Sequence, residues 1–118
     1  MAATTTAKTL LTSQSLGAGA SVNATEWNKS TAYGGRAFVR LTNGATAPTT
    51  APVVKFYSGE ATGIKRLLYT ASGDTVNGSV TDIPCYYELA DMFINITITN
   101  GATNAITVEA YGQEATSI

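Results

Sequence analysis

The sequence predicts an all-β chain of about eight short antiparallel strands, arranged as a sandwich or barrel. Two observations carry this. Apolar and polar side chains alternate with a period of two through several segments, as they do when one face of a strand meets a core and the other meets water. Between those segments fall turn-forming clusters: Gly17 to Gly19, Gly34-Gly35, Asn43-Gly44, Gly59 to Gly63, Gly73-Asp74, Asn77-Gly78 and Asn100-Gly101. Asn-Gly is a strong short-range turn signal.

A chain of 118 residues has room for one domain with one core. Its start, Ala2-Ala3-Thr4-Thr5-Thr6-Ala7, is low in complexity and has no large side chain to pack. Residues 1–7 are therefore expected to form a flexible N-terminal arm, either a frayed end or a segment that orders against a neighbour. Residues 8–118 are expected to form a single β-sandwich domain. Its first strands are Lys8 to Leu16 and Ser21 to Trp27. Arg36 to Thr42 comes next, with Ala37, Val39 and Leu41 on one face and Arg36, Phe38 and Arg40 on the other. Val53 to Ser58, Ile64 to Ala71 and Val80 to Glu88 follow. Tyr86 to Ile94 is the one stretch open to a helix, but it is short, lacks an N-cap and ends in aromatic and β-branched residues. Leu89-Ala90-Asp91 reads as a turn instead. Phe93 to Thr99 sets Ile94, Ile96 and Ile98 against Asn95, Thr97 and Thr99, and Ile106 to Tyr111 repeats that period.

Thr-Asn-Gly-Ala-Thr occurs at Thr42 to Thr46 and again at Thr99 to Thr103, each time between alternating segments. Two hairpins of similar design are expected from it. Pro48 and Pro52 in the first loop donate no backbone hydrogen bond and should lie at a sheet end.

Composition excludes most chemistries. The chain has 7 Lys+Arg, 8 Asp+Glu, no His and one Cys. There is no imidazole base, no His-ligated metal, no internal disulfide and no Cys-cluster zinc site. The near-zero balance argues against capture of nucleic acid or an anionic membrane, which needs a basic patch. Neither a signal-peptide core nor the ~18–20 apolar residues of a membrane span occurs, so an unprocessed product of a reducing cytoplasm is expected. The acids are scattered, and Asp82 to Asp91, the densest run, does not resemble a calcium loop because Ile83-Pro84-Cys85-Tyr86-Tyr87 intervenes. Gly17 to Val22 lacks the third Gly, the Lys and the helix of a phosphate cradle. Cys85 has no nearby base and reads as a buried thiol. Four N-x-S/T sites, at Asn23, Asn28, Asn77 and Asn95, are a modest excess over what this Thr-rich composition produces, and without a signal peptide they carry little weight. No catalytic residue, metal site or cofactor is expected.

Binding surfaces remain. Trp27 and Tyr33 flank amide and hydroxyl groups in Trp27 to Tyr33, as in a sugar platform or an interface anchor; alternatively Trp27 ends a strand inside the core. Phe93 and Tyr111, with Asn95, Thr97 and Glu109, share the outward face of the second expected hairpin. Thr4, Thr5 and Thr6 of the arm complete the candidate interface. Only 13% of residues are charged, against roughly 25% in typical soluble domains. Interface cores are depleted in charge in the same way.

In overall character the chain resembles small structural proteins of tailed-bacteriophage virions, of the capsid decoration or cement type. The features that carry this are the Thr/Ala-rich start, the Gly/Asn-punctuated strands, the Pro-containing loop Ala45 to Pro52 and the segment Phe93 to Tyr111. The resemblance implies a jelly-roll-like (Greek-key) β-sandwich. It implies a non-enzymatic homo-oligomer, a trimer, that is made in the host cytoplasm and bridges major capsid protein subunits on the capsid surface. A receptor- or carbohydrate-binding module of a phage fibre or spike is the alternative.

Overall fold

The computed structural model describes residues 4–117 and is all β over that span. Nine strands form: β1 (Thr4–Leu16), β2 (Ser21–Asn23), β3 (Trp27–Asn28), β4 (Gly34–Asn43), β5 (Val53–Gly59), β6 (Arg66–Ser72), β7 (Val80–Tyr87), β8 (Phe93–Thr99) and β9 (Ile106–Ser117). They make two antiparallel sheets. The front sheet runs β1-β9-β4-β7 and the back sheet β2-β8-β5-β6, with β3 also paired to β8. Both β2 and β3 lie on β8, opposite Thr97–Thr99 and Phe93–Ile94 respectively. They are two pieces of the one strand expected from Ser21 to Trp27, interrupted at Ala24–Glu26. Eight strand positions in this order make a jelly-roll sandwich.

The alternating segments place their apolar sides between the sheets. Ala37, Val39 and Leu41 of β4, Val108 and Ala110 of β9, and Ile83, Cys85 and Tyr87 of β7 face Val54 and Phe56 of β5 and Ile94, Ile96 and Ile98 of β8. Each large side chain buried in this way contributes about 1.5–3 kcal/mol.

Neither Thr-Asn-Gly-Ala-Thr repeat makes a hairpin. β4 is in the front sheet and β5 in the back; β8 is in the back sheet and β9 in the front. A half-buried strand covers one face, and the chain covers it by crossing to the opposite sheet; among the described residues only β5 and β6 are chain neighbours that pair. The two crossing loops interlock. Thr49 N–H donates to the Ala102 carbonyl at 2.9 Å, Ala102 N–H donates to Thr50 Oγ1 at 2.8 Å, and Asn104 Nδ2 donates to the Ala47 carbonyl at 3.1 Å. A Cβ on Gly101 would collide with the Thr50 carbonyl, so this contact requires glycine. The repeat asparagines play matching parts. Asn43 Nδ2 reaches Asp74 and the Val76 carbonyl, and Asn100 Nδ2 reaches the carbonyls of Leu16, Gly17 and Asn104.

The expected arm is corrected from Thr4 onward. Thr4–Ala7 continue β1 and pair with β9, Ala7 opposite Gln113 and Thr5 opposite Ala115. A strand needs ladder partners more than packing side chains, and the C-terminal half of β9, which extends past Tyr111, supplies them; Thr also suits a half-exposed strand. Residues 1–3 of that arm lie outside the described span.

Candidate functional site

Trp27 is a core residue, 3% exposed, and the sugar-platform or interface-anchor role is withdrawn for it. The back sheet delivers its indole into a slot made by two glycines of the front sheet. A Cβ on Gly112 would lie 2.8 Å from Trp27 Cζ3, and one on Gly35 would lie 2.9 Å from Cη2. Nε1 donates to Glu114 Oε2 at 3.0 Å, and the Tyr87 ring meets the indole edge to face at 6.1 Å. Burial takes the Tyr87 hydroxyl well above the ordinary tyrosine range. Lys29 closes the same end of the sandwich: it is fully buried and donates to the Glu88 carbonyl at 2.7 Å. Its pKa is lowered, first by burial, against the opposing pull of Asp91 and Glu114.

The other candidate residues are dispersed. Thr4, Thr5 and Thr6 are exposed on β1, and Tyr33 is exposed in the loop before β4. Phe93 is half-buried beside Asn28 and Gly59 on the back sheet, whereas Tyr111 lies on the outer face of the front sheet against Phe38. The shared hairpin face expected for Phe93 and Tyr111 does not exist, because β8 and β9 belong to different sheets.

The structure instead concentrates exposed apolar surface along the open side of the sandwich, where β6 and β7 are the edge strands of their sheets. Leu67, Leu68 and Tyr69 are about half exposed in succession, and Tyr86 is 68% exposed. A regular strand sends successive side chains to opposite faces, but β6 does not run regularly here. The register shifts between Phe56↔Tyr69 and Tyr57↔Leu67, leaving Leu68 as the extra residue of a bulge. Leu68 and Tyr69 consequently line the same groove, about 630 Å³ in volume, with Pro84, Cys85 and Tyr86 opposite. Tyr69 stacks on Phe56 at 5.8 Å, which joins the groove floor to the core. Cys85 is 6% exposed, and burial pushes its thiol up, so it is an apolar part of the wall.

Glu88 and Asp91 close one end of the groove. Asp91 accepts from Ser58 Oγ at 2.7 Å and from the Glu88 N–H at 2.8 Å, so it pins the Glu88–Asp91 turn. Asp82, in the same acidic run, is forked by Arg40 at 2.8 and 3.0 Å, and that pairing holds its carboxyl below the usual range. Among the described residues no three acids or thiols converge on a common point. Of Gly17 to Val22, residues 17–20 are the turn from β1 into β2, with Gly19 at φ 67°, and Ser21 and Val22 already belong to β2.

No protein-family model matches the chain, and no curated protein matches it in sequence. Solved structures do. A subunit of Bacillus endospore appendages, described as a novel family of disulfide-linked pili, is 16% identical over 100% of this chain and 93% of its own, with a TM-score of 0.57. A chain from the structure of infectious bursal disease virus, Gt strain, is 9% identical over 94% of this chain and 32% of its own, with a TM-score of 0.51. Yersinia pseudotuberculosis-derived mitogen is 13% identical over 99% of this chain and 88% of its own, with a TM-score of 0.50. At these identities the likeness is one of fold.

Proposed function

We propose that this chain is a non-enzymatic structural protein of a tailed-phage virion, which self-associates as a trimer and decorates the capsid by bridging major capsid subunits. The observation that carries this reading is the apolar groove between β6 and β7. Monomeric soluble proteins seldom leave a contiguous apolar patch that serves nothing. This one lies at a sheet edge, where unpaired backbone groups are also available to a neighbour. A bridging subunit needs a rigid scaffold and uncharged contact surface, and many copies on a shell turn modest contacts into high avidity. Support comes also from the same fold in a pilus protein and in a chain of a virus structure. The pilus family is described as disulfide-linked, whereas the one cysteine of this sequence, Cys85, is buried, so the proposed contact is the apolar groove and not a thiol.

The test is light scattering on the purified protein together with co-sedimentation with phage heads. A trimer that pellets with heads is expected, and Leu68→Lys with Tyr69→Lys should abolish both properties while the circular dichroism spectrum is kept. A monomer that stays in the supernatant would refute the proposal.

A further inference from the structure

A second built feature lies on the outer face of the front sheet, and it goes beyond the assembly reading. β4 opens with two glycines, and Gly34 is paired with Ala115 of β9, which is in turn opposite Thr5 of β1. These residues put no bulk on the outer face. One step along the ladder stand larger side chains: Tyr86 of β7, Arg36 of β4 and Gln113 of β9, paired in that order across the sheet. The result is a depression of about 290 Å³ lined by Gly34, Gly35 and Ala115, by Tyr86, Arg36, Gln113 and Thr5, and by Glu114, whose buried carboxylate accepts from Trp27 Nε1. It is smaller than the ~300–1,000 Å³ of a drug-sized site, and it suits a single ring.

The polar groups of this depression are oriented. Gln113 Nε2 donates to Thr5 Oγ1 at 3.1 Å, which fixes the amide and leaves its carbonyl oxygen to accept. Arg36 is exposed, and its guanidinium carbon lies 5.2 Å from the centre of the Phe38 ring. Arg40 and Arg66 each fork onto a carboxylate, of Asp82 and Glu60 respectively. Among the described residues no carboxylate lies within ion-pair distance of Arg36. In a chain with so few charges, a guanidinium held by an aromatic ring and left without a counter-ion is a ready partner for a ligand carboxylate.

The geometry points to a binding site for an acidic sugar residue, a pyranose whose carboxylate pairs with Arg36 while its C–H face rests on Tyr86 and its hydroxyls meet Gln113 and Thr5. Aromatic faces suit the apolar side of a pyranose, and the amide and hydroxyl supply both donors and acceptors. A bare anion would use Arg36 alone and leave Tyr86 and Gln113 without a role.

The test is an amide ¹H–¹⁵N titration of the intact protein with methyl glucuronide, methyl glucoside and inorganic phosphate. Methyl glucuronide should move the amides of Gly34, Gly35, Arg36, Gln113 and Ala115 with a Kd of about 1 mM, and methyl glucoside should bind at least about tenfold more weakly. Arg36→Gln should remove that difference, and Arg36→Lys should restore part of it. Tyr86→Ser should weaken both sugars. Tyr86 borders both the β6–β7 groove and this depression, so the separation rests on the other variants: Leu68→Lys, which disables the groove alone, should change neither sugar, and Arg36→Gln should leave trimer formation intact. No response to methyl glucuronide at about 50 times that Kd, equal response to the two sugars, or an equal response of the same amides to phosphate would overturn the assignment.

Discussion

The Trp27 slot makes the sharpest demand on the sequence, and Gly112→Ala tests it. The added methyl carbon would lie 2.8, 2.9 and 3.0 Å from Cζ3, Cη2 and Cε3 of the indole. Carbon atoms prefer about 3.5–4.0 Å, so the ring must retreat by more than half an ångström. It has little room to do so. Gly35 bounds it at one end, and retreat would stretch the 3.0 Å bond to Glu114, a buried carboxylate. Overpacking of this kind costs about 1–3 kcal/mol. At about 2.1 cal/mol/K per residue, a chain of this length loses about 4 °C of Tm per kcal/mol, so Gly112→Ala should lower Tm by about 4–12 °C. Urea unfolding followed by far-ultraviolet circular dichroism measures the cost directly, and a cycle with Trp27→Phe assigns it. Phe vacates the space of the outer indole atoms, so Gly112→Ala should cost less than about 0.5 kcal/mol in that background, a coupling of about 0.5–3 kcal/mol. An unchanged midpoint, or the same cost in both backgrounds, would refute the packing argument.

Asn43→Ala and Asn100→Ala should each cost about 2 kcal/mol in urea unfolding, since each strips one shared donor from several loop carbonyls at once; a loss below about 0.5 kcal/mol for either would show that its loops hold without it. Stability should also fall in acid. The Asp74 carboxyl is held below its ordinary pKa chiefly by the Ser79 hydroxyl, that of Glu26 by the Asn95 amide, and that of Asp82 by Arg40. A depressed carboxylate binds fewer protons in the folded state, so its contribution is complete above the unfolded pKa of about 4 and is lost as pH falls through the folded value. The urea midpoint should be level from neutrality down to about pH 5 and decline below about pH 4, and Asp74→Asn should flatten part of that decline; a midpoint unchanged in acid would contradict it.

Local structure was legible where it depended on period and turn chemistry. Val39 and Leu41 of β4, Ile94, Ile96 and Ile98 of β8 and Val108 of β9 are buried as their alternation requires, while Asn95, expected to face outward, is buried as well and donates to Glu26. Sheet membership was not, because a two-residue period says which way a side chain points and nothing about which sheet its strand joins. The segment around Asn100-Gly101 has the composition of a hairpin turn, yet it spans from β8 to β9 across the sandwich. Trp27 was ambiguous for a related reason. Its slot is formed by Gly35 and Gly112, whose role depends on a ladder that pairs Gly112 with Ala37 and Gly35 with Glu114. The apolar groove left a trace that alternation alone could have found. Leu67-Leu68-Tyr69 puts three large apolar residues in succession, and a strand with one buried face can cover only every second one unless a bulge or an open edge takes the rest.

The low charge of the chain acquires a location from this. From Leu67 to Thr81 the one charged residue is Asp74. Asp74 is occupied in accepting from Ser79 Oγ at 2.7 Å, Asn43 Nδ2 at 3.0 Å and the Val76 N–H at 3.1 Å. Between Leu67 and Thr81 the β6 side of the sandwich therefore carries a single charge, the Asp74 carboxylate, which is tied to the loop around it. Elsewhere the edges are guarded. β1 carries Lys8 and three register irregularities, β2 and β3 are two or three residues long, and β7 has Pro84, which removes a donor from its ladder. β6 has neither proline nor charge after Arg66, and Arg66 is spent on Glu60. Natural sheets blunt their edges to avoid pairing with other chains, so an edge left apolar and unguarded while the others are blunted is where a neighbouring subunit gains most by binding.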